Sequence, residues 1–336
     1  MNIALDLSVV IAAYNSANTL GECLAALEKS TIRPTECIVV LDGAADDSEA
    51  VAQGYGVRVI TLHERQGPAH ARNVGLRLAQ GNLVLFLDAD VSIHSDAIPR
   101  ILEHFRQDSS LDAVFGAYDD SPAATAFVSQ YRNLLHCFTH RTAHPNACTF
   151  WAGCGAVRKE AFLRCGGLDE RYGRPAVEDI EFGLRLHAAG GRLLLDPAIQ
   201  AKHLKCWGLA SMIKTDVFDR GIPWTRLILR SGQMPDDLNL RWTQRISVAL
   251  SFLSVAALAF GSYKTTIGCV LALLCLNLPF LSFLWVRRGT WFVLGALPVH
   301  FLFHFYSGIA FGLGLGSHLL STFRGSQSEA TTEEVP

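Results

Sequence analysis

The stretch Asn82-Leu-Val-Leu-Phe-Leu-Asp88-Ala-Asp90 decides the fold class of this chain. A run of consecutive apolar residues is typical of a strand that is buried on both faces, as in parallel sheets covered by helices. Two carboxylates separated by one small residue follow at the strand end. Such a pair can bind a divalent cation together with the phosphate oxygens of a ligand. An Asp at a strand end is also often no more than a turn residue.

Strands and helices alternate along the first 90 residues. The pattern predicts strands over residues 8–13, 36–42, 57–62 and 82–88, with helices over 19–30, from 48 onward, and over 67–80. This alternation predicts βαβ units and a mostly parallel sheet, which is an α/β fold. Ligands of such sheets bind outside the carboxyl ends of the strands. The polar residues at those ends are Asn15, Asp42, Asp88 and Asp90.

The bulk composition argues against some classes of function. The net charge of −2 and the absence of a basic, aromatic-rich run give no reason to expect a nucleic-acid partner. The nine cysteines are odd in number and include no C-x-x-C pair, which fits buried thiols in a reducing compartment. The N-terminal residues have no basic segment and only a short apolar run, so we expect no signal peptide.

The apolar residues are concentrated after residue 245. Three apolar stretches, residues 246–263, 265–286 and 290–320, can each span a bilayer, which takes roughly 20 residues. Arg241 and Arg245 precede the first stretch, and Arg287 with Arg288 separates the second from the third. By the positive-inside rule, the soluble region is therefore cytoplasmic in a multi-pass protein of the cell membrane. A helical bundle buried within a soluble protein is the alternative.

These patterns divide the chain into four predicted regions. They are a soluble α/β domain over residues 1–210, an interfacial linker over 211–244, three transmembrane helices over 245–320, and a disordered tail over 321–336.

Seven short motifs follow one another between residues 9 and 179. They are Val9-Val-Ile-Ala-Ala-Tyr-Asn15, Ile38-Val-Val-Leu-Asp42-Gly43 with Asp46-Asp47-Ser48, Gly67-Pro-Ala-His-Ala-Arg72-Asn73-Val-Gly75, Phe86-Leu-Asp88-Ala-Asp90, Gly153-Cys-Gly-Ala-Val-Arg158, Gly166-Gly-Leu-Asp169-Glu170 and Glu178-Asp179. In this order they resemble the family 2 glycosyltransferases over most of the first 210 residues. The resemblance implies the GT-A nucleotide-sugar-binding fold. It also implies transfer of a sugar from a nucleotide-diphosphate sugar, with Mn²⁺ or Mg²⁺ as cofactor.

The resemblance implies roles for the residues at the strand ends. It places Asp42 at the nucleobase and Asp88 at the nucleoside, and it makes Asp90 a metal ligand. Asn15 ends the motif of the first strand and turn, and we assign it to the same donor-binding site.

Two further residues are candidates for the donor side. Arg72 opens a helix, where a guanidinium and the helix N–H groups can both face a phosphate. The alternative is a solvated charge at a helix end. His203 follows a later strand, and some related GT-A enzymes use a histidine near here as a further metal ligand. The alternative for His203 is a packed or surface residue.

The acceptor side is represented by Glu178 and Asp179, which begin a predicted helix. Carboxylates are common in a first helical turn because they suit the helix dipole. The resemblance implies instead that Asp179 is the general base for an acceptor hydroxyl, in a single displacement that inverts the configuration. Glu178 would then orient the acceptor or the base.

No motif identifies the sugar or the acceptor. The apolar helices favour a lipid-linked acceptor, brought to the site by the segment 211–244, while a soluble saccharide or protein is the alternative. The Q-x-x-R-W motif of processive members is absent, because Arg220-Gly-Ile-Pro-Trp224 has a different spacing. A non-catalytic membrane scaffold with this fold is the alternative of another class, and the intact carboxylates argue against it. A dinucleotide-dependent oxidoreductase is disfavoured because no G-x-G-x-x-G follows the first strand.

Overall fold

The computed structural model describes residues 5–232, 234 and 236–332, with the backbone alone for residues 322–332. The strands are β1 (Leu7–Ala13), β2 (Glu36–Asp42), β3 (Arg58–Leu62), β4 (Leu83–Asp88), β5 (Val91–Ile93), β6 (Leu111–Tyr118), β7 (Asn146–Ala147), β8 (Cys154–Arg158) and β9 (Arg192–His203). The helices are α1 (Ala17–Glu28), α2 (Ser48–Gly54), α3 (Pro68–Leu78), α4 (Ala97–Gln107), α5 (Phe127–Thr142), α6 (Lys159–Arg164), α7 (Glu178–Ala188), α8 (Leu209–Lys214), α9 (Ile222–Ser231), α10 (Trp242–Ala259), α11 (Tyr263–Leu276), α12 (Leu278–Arg288) and α13 (Thr290–Thr332). A π-helix (Thr215–Gly221) lies between α8 and α9, and a 3₁₀ helix (Leu238–Leu240) precedes α10. The chain forms two compact units, Met1–Trp207 and Gly208–Pro336.

One sheet organises the first unit. Its strand order is β3-β2-β1-β4-β8-β6-β9-β5, with β7 beside β9. The strands β3, β2, β1 and β4 are parallel, as predicted, because each is joined to the next by a crossover helix. The second half is mixed, since β8 runs antiparallel to β4 and β6, and β5 runs antiparallel to β9. The α/β class is confirmed.

Helices cover both faces of the parallel half of the sheet. On β1, Ile11 packs in the apolar cluster that contains Leu20 of α1, while its neighbour Val10 packs in the cluster that contains Leu76 of α3. Alternate residues of a strand point to opposite faces, so a strand covered on both sides must be apolar throughout. This is why residues 83–87 of β4 are all apolar and buried.

The second unit is built of helices. Two of them, Trp242–Ala259 and Thr290–Ser321, are long and apolar enough to cross a bilayer. The middle apolar stretch, in which Pro279 predicts a kinked helix, is a pair of helices, α11 and α12, bent by 63°. Pro279, near the start of α12, has no N–H with which to continue the hydrogen bonding of α11. Among its described residues, the unit therefore holds two candidate spans, or three if the bent pair crosses as one.

Residues 211–244, predicted to be a linker, are largely helical and belong to the second unit. The π-helix and α9 pack against α13. The Tyr306 hydroxyl donates to the Asp216 carboxylate at 2.7 Å, and a Cβ at Gly221 would lie 2.6 Å from the Cβ of Ala310. Small residues on α13 admit this close helix contact, and the interfacial position of residues 211–244 stays a prediction.

The predicted disordered tail also differs from the structure. The backbone of α13 is helical as far as Thr332. Extending an existing helix costs less than starting one, so a polar continuation can remain helical. Residues 333–336 of the predicted tail lie outside the described residues.

A buried polar network lies at the bend between α11 and α12. The Asn277 Nδ2 donates to Ser247 Oγ of α10 and to the Leu273 carbonyl, both at 2.9 Å. The His300 Nε2 is 3.0 Å from Asn277 Oδ1 and 3.3 Å from His304 Nε2. Polar side chains of this kind hold apolar helices together and satisfy backbone groups that a bend would expose.

Candidate active site

The sheet brings several of the sequence-predicted residues to one edge. Asp88, the last residue of β4, pairs with Ala12 of β1. Asp42 ends the neighbouring strand β2, and Asn15 follows β1 by two residues. Because these strands are parallel, their carboxyl ends meet at the same edge of the sheet.

A second pairing brings the other half of the site to this edge. In the antiparallel pair of β5 and β9, Val91 lies opposite His203. Asp90 directly precedes Val91, and its carbonyl accepts a hydrogen bond from the Leu204 N–H at 2.8 Å. Two residues that are far apart in sequence, Asp90 and His203, are therefore neighbours by strand register.

Asp42 and Asn15 shape the loops around the edge. The buried Asp42 carboxylate accepts hydrogen bonds from the Gln66 N–H at 2.7 Å and the Gly67 N–H at 2.9 Å. Asn15 has a left-handed backbone with φ 47°, and its Oδ1 accepts from the Ala45 N–H at 2.9 Å. Asn15 thus joins the loop after β1 to the loop after β2, and Asp42 joins the end of β2 to the loop after β3. Their contact with a nucleoside stays a prediction.

Arg72 links two carboxylates at the centre of the site. Its Nη2 lies 2.7 Å from Asp88 Oδ1, and its Nη1 lies 2.8 Å from Glu178 Oε1. The guanidinium is buried, and a buried charge requires such partners. Both Nη atoms thus donate to carboxylates of the protein, while the buried Nε has no partner among the described residues, and the phosphate-facing role of Arg72 stays a prediction. Arg72 therefore ties β4 to the start of α7.

Asp179 lies beside this bridge in the first turn of α7. Its Oδ2 accepts from the Ala152 N–H at 3.0 Å and its Oδ1 from the Ile180 N–H at 2.8 Å. Burial, followed by the charge of Glu178, raises the pKa of Asp179 to about 7, although Arg72 and the Ala152 N–H act in the opposite direction. A carboxylate with a pKa close to the working pH is well suited to accept a proton.

Asp90 and His203 form a pair with Oδ2 and Nε2 3.6 Å apart, which is too long for a hydrogen bond. The His203 Nδ1 lies 2.6 Å from Asn133 Oδ1. An amide oxygen only accepts, so this contact assigns the proton to Nδ1 and leaves the Nε2 lone pair facing Asp90. Two facing acceptors fit a cation, and a bond from the far nitrogen to an amide oxygen is usual for a ligand histidine. In the described part of the chain, no three His, Cys, Asp or Glu side chains lie close enough to hold a metal by themselves.

Asn73, for which the sequence analysis gave no role, connects two of the motifs. Its Nδ2 donates to the Leu168 carbonyl at 2.9 Å and to Glu170 Oε1 at 2.8 Å, and its Oδ1 accepts from the Leu168 N–H at 2.9 Å. Gly167 has φ 75°, and a Cβ there would lie 2.8 Å from Asn73 Oδ1. The motif over residues 67–75 indicates that Asn73 has a function, but the sequence does not show that its partners are Leu168 and Glu170.

An aromatic layer that the sequence analysis missed supports His203. Tyr118 stacks on His203 with ring centroids 4.5 Å apart, and Trp151 meets Tyr118 edge-on at 4.8 Å. A buried tyrosine in a strand and a half-buried tryptophan in a loop look in sequence like ordinary core residues. Only the hydrogen bond from His203 to Asn133 of α5 distinguishes this layer as part of the site.

A cavity of about 360 Å³ elsewhere on the first unit is lined by His94, Asp96, Arg100, Arg141, Pro197, Ala198 and Gln200. None of the residues predicted for the site lines it. The Arg100 Nε is bound by Asp96 at 2.7 Å. The cavity is separate from the candidate active site.

Comparison with known proteins identifies the first unit. Residues 8–166 match the sequence model described as Glycosyl transferase family 2. The first unit is a family 2 glycosyltransferase domain. Poly-beta-1,6-N-acetyl-D-glucosamine synthase of Staphylococcus aureus is 24% identical over 229 residues, which are 66% of this chain and 54% of the synthase. Glycosyltransferase GlyG of Streptococcus pneumoniae is 30% identical over 117 residues, which are 33% of this chain and 38% of GlyG. The chain thus spans about half or less of the length of these relatives.

Solved structures share the fold of the family 2 domain. The mannosyltransferase PcManGT from Pyrobaculum calidifontis, in complex with GDP-Man and Mn²⁺, has a TM-score of 0.55 at 16% identity and covers 95% of this chain and 90% of its own. GalNAc-T7, with UDP, GalNAc and Mn²⁺, has a TM-score of 0.51 at 17% identity and covers 74% of this chain and 51% of its own. These likenesses confirm the GT-A fold. The family match ends at residue 166, so Asp179 and His203 lie beyond it.

Proposed function

We propose that the chain is an inverting glycosyltransferase that moves a sugar from a nucleotide-diphosphate sugar to an acceptor hydroxyl. The observation that carries this proposal is Asp179, a buried carboxylate whose pKa is raised to about 7 by burial and by Glu178. It stands next to Glu178, which the Arg72 guanidinium joins to Asp88. A proton acceptor is thus coupled to the edge at which the family 2 domain would bind its donor.

The transfer step follows from this arrangement. The acceptor oxygen attacks the anomeric carbon while the bond from that carbon to the diphosphate oxygen breaks. The hydroxyl proton passes to Asp179, and the bonding electron pair leaves with the nucleoside diphosphate. Attack opposite to the leaving group inverts the configuration. Glu178 is bound by Arg72 and by the Ala176 N–H, so we assign it to orienting Asp179 and to raising its proton affinity.

We assign the donor to the strand ends, with Asp42, Asn15 and Asp88 around the nucleoside. Asp90 and His203 would hold Mn²⁺ or Mg²⁺, and ligand phosphate and water oxygens would complete the coordination, as is usual for these ions. PcManGT and GalNAc-T7, which share the fold, were both solved with Mn²⁺. When bound, the cation would neutralise charge on the diphosphate.

The raised pKa of Asp179 narrows the acceptor chemistry. A phosphate monoester already carries most of its charge at neutral pH, since its second pKa is about 6, and it needs no base. A sugar hydroxyl does need one. We therefore favour a hydroxyl, and with two candidate spans in the second unit we place it on a lipid-linked saccharide. Arg287 and Arg288, at the end of α12, favour the cytoplasmic face by the positive-inside rule.

The test uses the purified full-length protein in detergent with a panel of nucleotide-sugars and Mn²⁺ or Mg²⁺. Release of nucleoside diphosphate is recorded with polyprenyl phosphate, with a polyprenyl-linked saccharide and with a soluble saccharide, for the wild type and Asp179→Asn. Release that depends on the metal, is stimulated by the lipid-linked saccharide and is lost in Asp179→Asn supports the proposal. Stimulation by the soluble saccharide alone would show that the acceptor is a soluble saccharide and not a lipid-linked one. Folded protein that binds no donor would instead be a non-catalytic scaffold.

A further inference from the structure

Lys205 is a cation close to the proposed metal ligand His203, and the proposed transfer step gives this lysine no role. It lies two residues after His203, past the end of β9, and its Nζ is 4.2 Å from the ring centroid of Trp207. Throughout the described part of the chain, no carboxylate forms an ion pair with it.

Trp207 gives Lys205 a fixed platform. The Trp207 N–H donates to Ser129 Oγ at 2.6 Å, and the Ser129 hydroxyl is 3.3 Å from the Trp207 carbonyl. The residue is only 5% exposed, and its ring lies 6.3 Å from that of His203. A cation over the face of an indole is attracted by the negative face of the ring, which restricts an otherwise mobile lysine.

Trp207 also carries a second signal of a ligand. Its indole Nε1–H is buried and has no hydrogen-bond partner among the described residues. A buried donor without a partner loses its hydrogen bonds to water and gains none in return, so native structures contain few of them. A cation without a counter-ion and a donor without an acceptor are therefore found on one platform beside Asp90 and His203. The buried indole donor calls for an acceptor, and the exposed Lys205 ammonium beside it favours an anionic one.

The arrangement of Arg72 strengthens this conclusion. Sequence reasoning made Arg72 the phosphate-facing cation, but its Nη atoms are bound by Asp88 and Glu178. The charge of the guanidinium is thus shared with two carboxylates, so less of it would act on the leaving diphosphate. A cation placed where negative charge develops lowers the barrier to transfer.

We propose that Lys205, positioned by Trp207, binds phosphate oxygens at the active site, and that these belong to the diphosphate of the donor. The inference rests on the proposed function and adds a phosphate-binding residue to it. This residue comes two positions after His203 in the chain, whereas Arg72 comes before Asp88. The Trp207 Nε1–H is the second donor toward the same phosphate. The phosphate of a lipid-linked acceptor has the same chemistry, and the experiment distinguishes the two sources.

The experiment measures binding of UDP and GDP to the full-length protein by calorimetry, with Mn²⁺ and again in EDTA. Lys205→Met weakens binding of the diphosphate about tenfold in both conditions, because a charge-assisted contact is lost. Binding of UMP or GMP changes less than threefold, since the second phosphate is missing. Lys205→Arg restores most of the affinity, and Trp207→Phe, which keeps the ring but removes the Nε1–H, has a smaller effect than Lys205→Met. Lys202→Met removes the same charge from β9 and leaves binding unchanged.

Each outcome separates this inference from the proposed function. If the wild type binds UDP or GDP and Lys205→Met binds it equally well, the inference is overturned while the transferase proposal stands. If the folded wild type binds neither nucleotide, the proposed function fails and the inference fails with it. If Lys205→Met loses affinity for vesicles that contain polyprenyl phosphate but not for nucleotides, Lys205 is confirmed as a phosphate ligand and the source is the acceptor.

Discussion

Arg72 and Glu178 are 106 positions apart in the chain and meet in a buried ion pair, with Nη1 2.8 Å from Oε1. Removing one partner of a buried pair leaves an uncompensated charge and costs about 3–5 kcal/mol. We therefore expect Arg72→Met to lower the free energy of unfolding by this amount, measured by denaturant titration in detergent. Arg77→Met is the matched control, because Arg77 lies on the same helix at the surface and its Nη1 is 3.9 Å from Glu170. Its loss should cost less than about 1 kcal/mol. Equal effects of the two substitutions would show that the bridge does not stabilise the site.

The pH dependence of transfer reports the state of Asp179. Its pKa is raised to about 7, and only the ionised carboxylate accepts a proton, so kcat/KM should rise as the pH increases through about 7 and level off above it. Glu178 raises this pKa through its negative charge, so Glu178→Gln should move the rising limb to lower pH. The measurement is kcat/KM from pH 5 to 9 for both proteins, with melting curves to confirm folding. A rising limb that stays in place in Glu178→Gln would contradict the coupling of the two carboxyls.

Gly43 is required by its neighbours as well as by its backbone. It has φ +65°, and a Cβ there would lie 2.5 Å from the Arg65 backbone nitrogen. Gly56 is the matched control, since it has φ +64° with nothing within 4 Å of its Cβ position. Gly56→Ala should cost about 1–2 kcal/mol for the left-handed backbone alone. Gly43→Ala should cost at least a further 1 kcal/mol for the steric clash. It should also weaken donor binding, because the displaced loop continues to Gln66, which donates to Asp42.

Metal affinity tests the pair of Asp90 and His203. Titration of Mn²⁺ followed by electron paramagnetic resonance, with nucleoside diphosphate present, should show a loss of more than tenfold for Asp90→Asn and for His203→Gln. Asn133→Leu removes the acceptor that orients His203, and losses of about 10–100-fold are typical of such partners. His94→Gln is the control, because His94 is bound by Asp119 at 2.9 Å and is not part of the pair. Unchanged Mn²⁺ binding in Asp90→Asn would overturn the assignment.

The sequence predicts the strand ends well because geometry leaves little choice there. A wholly apolar strand such as β4 must be covered on both faces, and parallel neighbours then end at the same edge. Asp42 and Asp88 could therefore be placed together without knowledge of the tertiary structure. The same reasoning could not show that Arg72 would be bound by carboxylates, because its partner Glu178 belongs to another motif and meets it only after folding.

The remaining differences also depend on contacts between distant segments. The link from His203 to Asn133 joins a strand to a helix from a region without a recognised motif. In the second unit, the bend at Asn277 reflects Pro279 together with a side-chain bond to Ser247 of another helix. Pro279 in the sequence predicts a kink there, but hydropathy measures only how apolar a stretch is and does not predict the polar partner at the bend.

The position of β9 has a practical consequence for work on this family. The sequence match ends at residue 166, yet β9 occupies an interior place in the sheet between β6 and β5 and also pairs with β7. A fragment cut at that boundary would remove the β9 neighbour of β5, β6 and β7 and expose unpaired backbone that favours self-association. Insolubility of such a fragment would reflect open sheet edges and would carry no information about catalysis. The smallest self-sufficient piece must therefore extend at least to Trp207.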